Sequence, residues 1–247
     1  GPQTAEASAL LDQALLKGLL QTSTGKVTTL KGSASREFGD WLGAGRPVQF
    51  AVGAEFRRED FVSKANTDYA ALVSASTGLD PTFVAKGTRN ITAFYTELNV
   101  PVTKTLEVTG SVRHDRYSDF GNTTNPKAAF RFQPSKTFLV RGSASTGFRA
   151  PSLYDLNSSQ AYTNSGEFNN PVNCPGGNAI PGASAGANCD SQFQVLTGGN
   201  TALKPEKAKN FTLGFVLEPA RNLSTSVDFW RVRCRRSRSS SITATST

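Results

Sequence analysis

Chemistry-bearing side chains are few in this sequence, and they do not converge. His114 is the only histidine in 247 residues. No G-x-S-x-G turn accompanies it, so a Ser-His-Asp relay has nothing to build on. Cys174 and Cys189 lie in a Gly/Asn/Pro/Ala/Ser stretch with no nearby His and no acid cluster, which argues against a metal site. They are left as a disulfide or as two free thiols. Cys234 stands apart in an arginine-rich C-terminal run. No catalytic residue, metal ligand or cofactor is assigned. The main chemical resource is cationic: Arg113, Lys127, Arg131, Arg141 and Arg149. Such a band either meets an anionic ligand or pairs with acids such as Glu107 and Asp115, and pairing is the expectation.

These cations need elements to position them. From 138 to 149, Phe138, Val140, Gly142, Ala144, Thr146 and Phe148 fall on one side of an alternating run. Leu139, Arg141, Ser143, Ser145, Gly147 and Arg149 fall on the other. Period two is the signature of a strand, and Pro151 ends it because proline cannot donate to a ladder. The same alternation marks 26–38, 48–60, 89–100, 105–117, 124–133, 208–218 and 223–232, about eight strands in all. Residues 5–21 read as a short amphipathic helix. Short connections at 42–47, 101–104, 134–136 and 219–222 alternate with longer ones at 61–87, 118–123 and 150–207. All short turns therefore fall at one end of an antiparallel sheet and all long loops at the other.

Composition narrows the class. No apolar run is long enough for a transmembrane helix, and Gly1-Pro2-Gln3 lacks the regions of a signal peptide. The net charge of +8 is concentrated: Arg231, Arg233, Arg235, Arg236 and Arg238 lie in a terminal segment without acids. A nucleic-acid reading would rest on that tail alone, so no nucleic-acid partner is assigned. Charges such as Glu55, Arg57, Glu97, Glu107, Arg113 and Arg131 keep to one strand face, and the opposite face is apolar. Two architectures fit this pattern. One is a secreted β-sandwich binding module with an apolar core between sheets. The other is a transmembrane barrel wall with a wet lumen and a lipid-facing apolar side. Long strands and the turn asymmetry favour the barrel wall. Val112, Phe130 and Phe215 are then expected to face lipid, and Arg113 and Arg131 water.

Four stretches carry a family resemblance: residues 51–59 (AVGAEFRRE), 113–127 (RHDRYSDFGNTTNPK), 141–153 (RGSASTGFRAPSL) and 199–206 (GNTALKPE). In order and spacing they resemble the β-barrel region of TonB-dependent outer-membrane receptors. The resemblance implies an all-β antiparallel wall drawn from a barrel of ~22 strands with a plugged lumen. It implies short periplasmic turns, long extracellular loops and a location in the outer membrane of a Gram-negative bacterium. It further implies energised uptake of a scarce solute such as a siderophore–iron complex, cobalamin or an oligosaccharide. Its partners would be outer-membrane lipid, that solute, and the TonB complex, reached through a plug domain that this sequence does not include. The barrel part is expected over 1–231, with 1–24 a loop carrying the short helix and 150–207 a long extracellular loop. Residues 232–247 depart from the pattern and are expected to lie outside the fold. Arg113, Lys127, Arg131, Arg141 and Arg149 become a lumen-facing band, and ligand contacts are unassigned, although Tyr154, Tyr162, Phe168 and Phe193 lie in the long loop. An export compartment tolerates disulfides, which favours a Cys174–Cys189 bridge over free thiols.

Overall fold

The computed structural model describes residues 4–14, 18–72, 80–192 and 194–235. Helix α1 (Ala5–Ala14) precedes β1 (Gln21–Phe38) and β2 (Val48–Ala65). A single turn, α2 (Thr67–Ala70), leads to β3 (Val84–Pro101), β4 (Leu106–Tyr117), β5 (Gly121–Ser135) and β6 (Phe138–Arg149). The long connection holds α3 (Leu153–Asn157), β7 (Ala161–Asn164), α4 (Ala185–Asn188) and β8 (Gln194–Thr197). Strands β9 (Glu206–Ala220) and β10 (Leu223–Arg235) complete the described residues. The order β1-β2-β3-β4-β5-β6-β9-β10 forms one antiparallel sheet of eight strands, and β7-β8 is a separate two-stranded ribbon. A sandwich needs a second sheet facing the first, and this ribbon is too small to be one.

Several elements differ in extent from the sequence expectation. Helix α1 is described over Ala5–Ala14, residues 15–17 lie outside the described set, and Gln21, inside the expected helix, pairs with Ala65 in the sheet. Strands β1, β2 and β3 each run 18 residues, past the expected ends near 60 and 89. The connection expected over 118–123 is a tight hairpin, with Tyr117 opposite Gly121. Gly121 takes φ 98°, which only glycine adopts without strain. Strand β10 continues four residues beyond 231: Val232, Arg233, Cys234 and Arg235 pair with Asn210, Lys209, Ala208 and Lys207. Backbone pairing with β9 holds them whatever their side chains. Residues 236–247, the rest of the expected tail, lie outside the described residues.

Residues directly opposite in a ladder share a face. Register therefore places Val112 with Thr96, Phe130 with Val108 and Gly142, and Phe215 with Val140 and Val227. This apolar face is open: Leu30, Phe56, Phe94, Phe211 and Phe229 are all exposed. The buried residues gather instead on the polar face near the long-loop end, around Ile91, Ala93, Tyr117, Leu153 and Leu156. Apolar residues outward and a polar, partly covered opposite face is the inverse of a soluble sheet, and it suits a lipid-facing wall.

Two local features shape the sheet. In the turn between β1 and β2, the Asp40 carboxylate accepts the Ala44 and Gly45 N–H groups at 2.8 and 2.7 Å. Gly43 and Gly45 take φ of 71° and 75° there. In β5, Pro126 still stands opposite Val112 of β4, but the ladder to β6 begins only at Lys127–Ser145. Proline has no N–H to donate, so β5 and β6 part beyond it toward the long-loop end.

Candidate functional site

The polar face carries a run of alternating charges across β2, β3 and β4. Arg113 pairs with Asp115 at 2.8 Å and Glu55 at 3.2 Å. Arg57 pairs with Glu55 at 3.8 Å and Glu59 at 3.1 Å. Arg89 pairs with Glu59 at 2.6 Å and Asp119 at 3.3 Å. The period of two in Glu55, Arg57 and Glu59 puts all three on one face, and register brings Arg113 and Arg89 beside them. Each arginine thus bridges two carboxylates, an arrangement the guanidinium fork supports better than an ammonium.

Arg89 does more than pair. Its side chain is 9% exposed, it lies 5.5 Å over the Tyr117 ring, and it donates to the Pro151 carbonyl at 2.8 Å. It thereby ties the start of the long connection to the wall. Beyond it, the Ser152 hydroxyl accepts the Asp155 N–H and caps α3. Leu153 and Leu156 are buried against the sheet. The Ser159 N–H donates to the Val84 carbonyl at 2.8 Å. At Gly199 an added Cβ would lie 2.7 Å from the Ser158 backbone nitrogen, so only glycine lets the 199–200 segment pass this close. Its own N–H donates to the Ser158 carbonyl at 2.9 Å. The stretches 141–153 and 199–206, distant in sequence, meet where Arg149 pairs with Glu206 in the ladder.

Of the expected cationic band, Arg113 belongs to the network above. Arg141 pairs with Asp228 of β10 at 3.0 Å, reaching across Gly214. Arg149 approaches Glu206 at 3.9 Å, and Arg131 donates to Gln133 at 2.5 Å. Lys127 stands between Ser111 and Ser145 on the same face, without an ion pair among the described residues. Glu107 pairs instead with Arg46, at 2.7 Å. Arg89, Asp119 and the Pro151 carbonyl were missed by the sequence reading. The regular Glu55-Arg57-Glu59 spacing hinted at the network, but nothing local marks contacts that span 30 and 62 residues.

The remaining candidates are dispersed. The His114 Nδ1 lies 2.8 Å from the Thr124 hydroxyl on the apolar face, opposite Phe94. Cys174 and Cys189 are joined, with sulfurs 2.04 Å and Cα atoms 5.5 Å apart, and Cys234 is free and exposed. Tyr154 packs edge-on against Phe61, and Tyr162 and Phe168 are exposed. Phe193 lies outside the described residues. No cluster of His, Cys, Asp and Glu among the described residues could hold a metal ion.

Comparison with known proteins agrees with this geometry. The probable TonB-dependent siderophore receptor PirA of Acinetobacter baumannii is 27% identical over 206 residues, covering 81% of this chain and 24% of that protein. The crystal structure of the A. baumannii siderophore receptor PirA superposes with a TM-score of 0.63 at 20% identity, covering 86% of this chain and 27% of that one. The PirA structure from Pseudomonas aeruginosa gives a TM-score of 0.57 at 21% identity, covering 86% and 32%. This chain thus spans about a quarter of the length of the curated relative it matches. The family profile described as "TonB dependent receptor-like, beta-barrel" matches residues 7–236. With nearly the whole chain inside that match, the protein belongs to the TonB-dependent receptor β-barrel family, and its place is the outer membrane of a Gram-negative bacterium.

Proposed function

We propose that this chain forms part of the wall of a receptor that takes up a siderophore–iron complex across the outer membrane, with energy delivered by the TonB complex. The observation that carries the reading is the pairing of opposite faces on one long-stranded sheet. One face is exposed and apolar, and the other bears an ion-paired network. A sheet so built has lipid on one side and a wet lumen on the other. Arg113, Lys127, Arg131, Arg141 and Arg149 then face the lumen. The short turns face the periplasm and the long loops the exterior, with the Cys174–Cys189 bridge tying the longest loop. The PirA proteins described above are named as siderophore receptors, which favours an iron chelate over cobalamin or an oligosaccharide.

In this reading the chain's residues act by positioning. The Arg89 clamp holds residues 151–158 against the inner wall at the outer mouth, where an arriving solute first meets fixed structure. The neighbouring charges are already matched, so the wall contributes shape more than free charge there. Capture falls to the outer loops, and release to a plug that responds to the TonB complex.

The test is uptake. Deleting the coding region for this segment in the producing bacterium should abolish accumulation of radioactive iron supplied as its siderophore complexes under iron starvation. Unchanged iron uptake, together with lost growth on cobalamin or on an oligosaccharide, would reassign the solute. Retention of all three would end the transport reading.

A further inference from the structure

Strands β5 and β6 are joined over only part of their length. Their ladder runs up to Lys127–Ser145 and stops, so residues 121–126 and 146–149 have no ladder partner across the gap among the described residues. On their other sides both strands stay paired, β5 with β4 as far as Gly121 and β6 with β9 as far as Arg149. A cavity of about 790 Å³ occupies the gap. Five consecutive residues of β5, 122–126, line it, together with Thr146 and Gly147 of β6. Consecutive residues of a strand point to opposite faces, so the cavity lies between the strand edges rather than on one face of the wall. The sheet is thus two leaves, β1 to β5 and β6 to β10, sharing a ladder below and a seam above.

The seam sits where a break is tolerated. From Ser135 to Lys127 is about 27 Å along the strand, or about 21 Å along the membrane normal at a tilt near 40°. The apolar band of such barrels is about 25 Å tall. The unpaired backbone therefore begins near the top of that band and continues above it, where water can satisfy it. In the seam the Thr146 hydroxyl is buried without a hydrogen-bond partner. A buried hydroxyl left unpaired costs free energy that hydration would relieve, so opening favours this group.

Two contacts bolt the leaves together above the ladder. Phe148 of β6 packs edge-on against Tyr117 of β4, centroids 5.6 Å apart, and Tyr117 stacks on Phe120 at 4.4 Å. The second bolt is the strap that follows β6, residues 150–159, which docks on β3. Ser158 bridges to Ala85 there, and Arg89 donates to the Pro151 carbonyl. Arg89 serves both bolts, because its guanidinium also lies over the Tyr117 ring.

We propose that the seam is a gate in the wall. When Arg89 lets go of the strap, the upper parts of β6, β9 and β10 swing away from β5 as one leaf, hinged at the last shared pair, Lys127–Ser145, and the outer mouth widens. The hinge rests on strand pairing alone, and its place at the outer mouth rests on the orientation proposed above. Neither depends on which solute is carried.

The experiment measures distances between pairs of spin labels in the full 247-residue chain, carrying Cys234→Ser and refolded in detergent micelles. The upper pair, Arg116→Cys with Lys207→Cys, spans the seam. The lower pair, Thr109→Cys with Thr212→Cys, spans the same strands where the ladder is intact. Adding Arg89→Met should lengthen and broaden the upper distance by about one strand spacing, ~5 Å, and leave the lower one unchanged. Phe148→Ala, which removes the other bolt and leaves Arg89 in place, should shift the upper distance in the same direction, and it makes the comparison if Arg89→Met does not refold. An upper distance unmoved by either variant would overturn the gate. Equal lengthening of both pairs would also overturn it, by showing a sheet that loosens as a whole.

Discussion

Replacing Arg89 with Met should release residues 151–158 from the wall while leaving the sheet intact. Methionine keeps much of the length and apolar stem but none of the donors. The loss is threefold: the 2.6 Å pair with Glu59, the 3.3 Å pair with Asp119 and the 2.8 Å bond to the Pro151 carbonyl. Breaking a fully buried pair from one side costs ~3–5 kcal/mol. Here Glu59 and Asp119 are each about one-fifth exposed, and Glu59 keeps Arg57 at 3.1 Å. The expected cost is therefore lower, about 2 kcal/mol, concentrated on the segment held by Arg89. Local opening should become about thirtyfold more frequent. Hydrogen exchange of the refolded chain reads this directly at the Leu156 and Ser159 amides, which donate to the Ser152 and Val84 carbonyls. Amides deep in β4 and β5 should not change. Exchange at Leu156 and Ser159 unaltered in Arg89→Met would refute the clamp. Equal acceleration in every strand would show Arg89 to be a general stabiliser instead.

Further outcomes follow from the same geometry. In a Cys234→Ser background, a water-soluble maleimide should modify Arg113→Cys and Arg131→Cys but spare Val112→Cys and Phe130→Cys; the reverse pattern would invert the faces. Val112→Arg should cost ~2–4 kcal/mol in a bilayer if Val112 lies near the midplane, measurable as a lower urea midpoint for refolding into vesicles. Gly199→Ala forces a methyl toward the Ser158 backbone and should destabilise the 196–200 segment by ~1–3 kcal/mol, seen as faster proteolysis there with β9 unaffected. The Asp40 carboxyl is held below the ordinary carboxylate range, chiefly by the Gly45 N–H and further by Ala44. A depressed folded-state value gives stability that is present above the unfolded carboxylate pKa and lost as pH falls through the folded one. Protection of the Ala44 and Gly45 amides should therefore persist at mildly acidic pH and fail only below the ordinary carboxylate range. Asp40→Asn should remove that pH dependence.

The sheet was legible because alternation survives wherever one face meets lipid-like and the other water-like surroundings. In β4, β6 and β9 the expected and observed bounds agree to within two residues. It faded at the long-loop end of β2 and β3, where residues 61–65 and 84–88 have no clean two-sided environment because α3 covers part of the polar face. Ser118, Asp119 and Gly121 predict a longer loop over 118–123, and only backbone pairing shows that Tyr117 meets Gly121. Pro126 inside a strand argues against a strand by ordinary rules. It is tolerated because its missing donor faces the gap toward β6. Of the polar site, residues on strands were placed by register, whereas Asp119 and Pro151 reach Arg89 from loops whose paths no local pattern encodes. At the C-terminus, the composition shift after 231 suggested an end to the fold, yet backbone pairing with β9 carries the strand on to Arg235.

The β7–β8 ribbon has a consequence for the order of assembly. Strand order follows chain order throughout the eight-stranded sheet, so nearly every pairing joins neighbours in sequence and closes only a short loop. The exception is β6 with β9, separated by about 56 residues, and loop-closure entropy grows with the logarithm of that length. When Ala161 pairs with Thr197, the free path between Arg149 and Glu206 shrinks to about 19 residues. By the same logarithm, the ribbon lowers the closure cost by about 1 kcal/mol. The Cys174–Cys189 bond lies wholly inside the ribbon's own loop and biases that loop toward its ends meeting. Oxidation before insertion would thus speed the joining of β9 to β6 by no more than about fivefold, and a reduced chain should form that pairing correspondingly later than the pairings of β1 to β6.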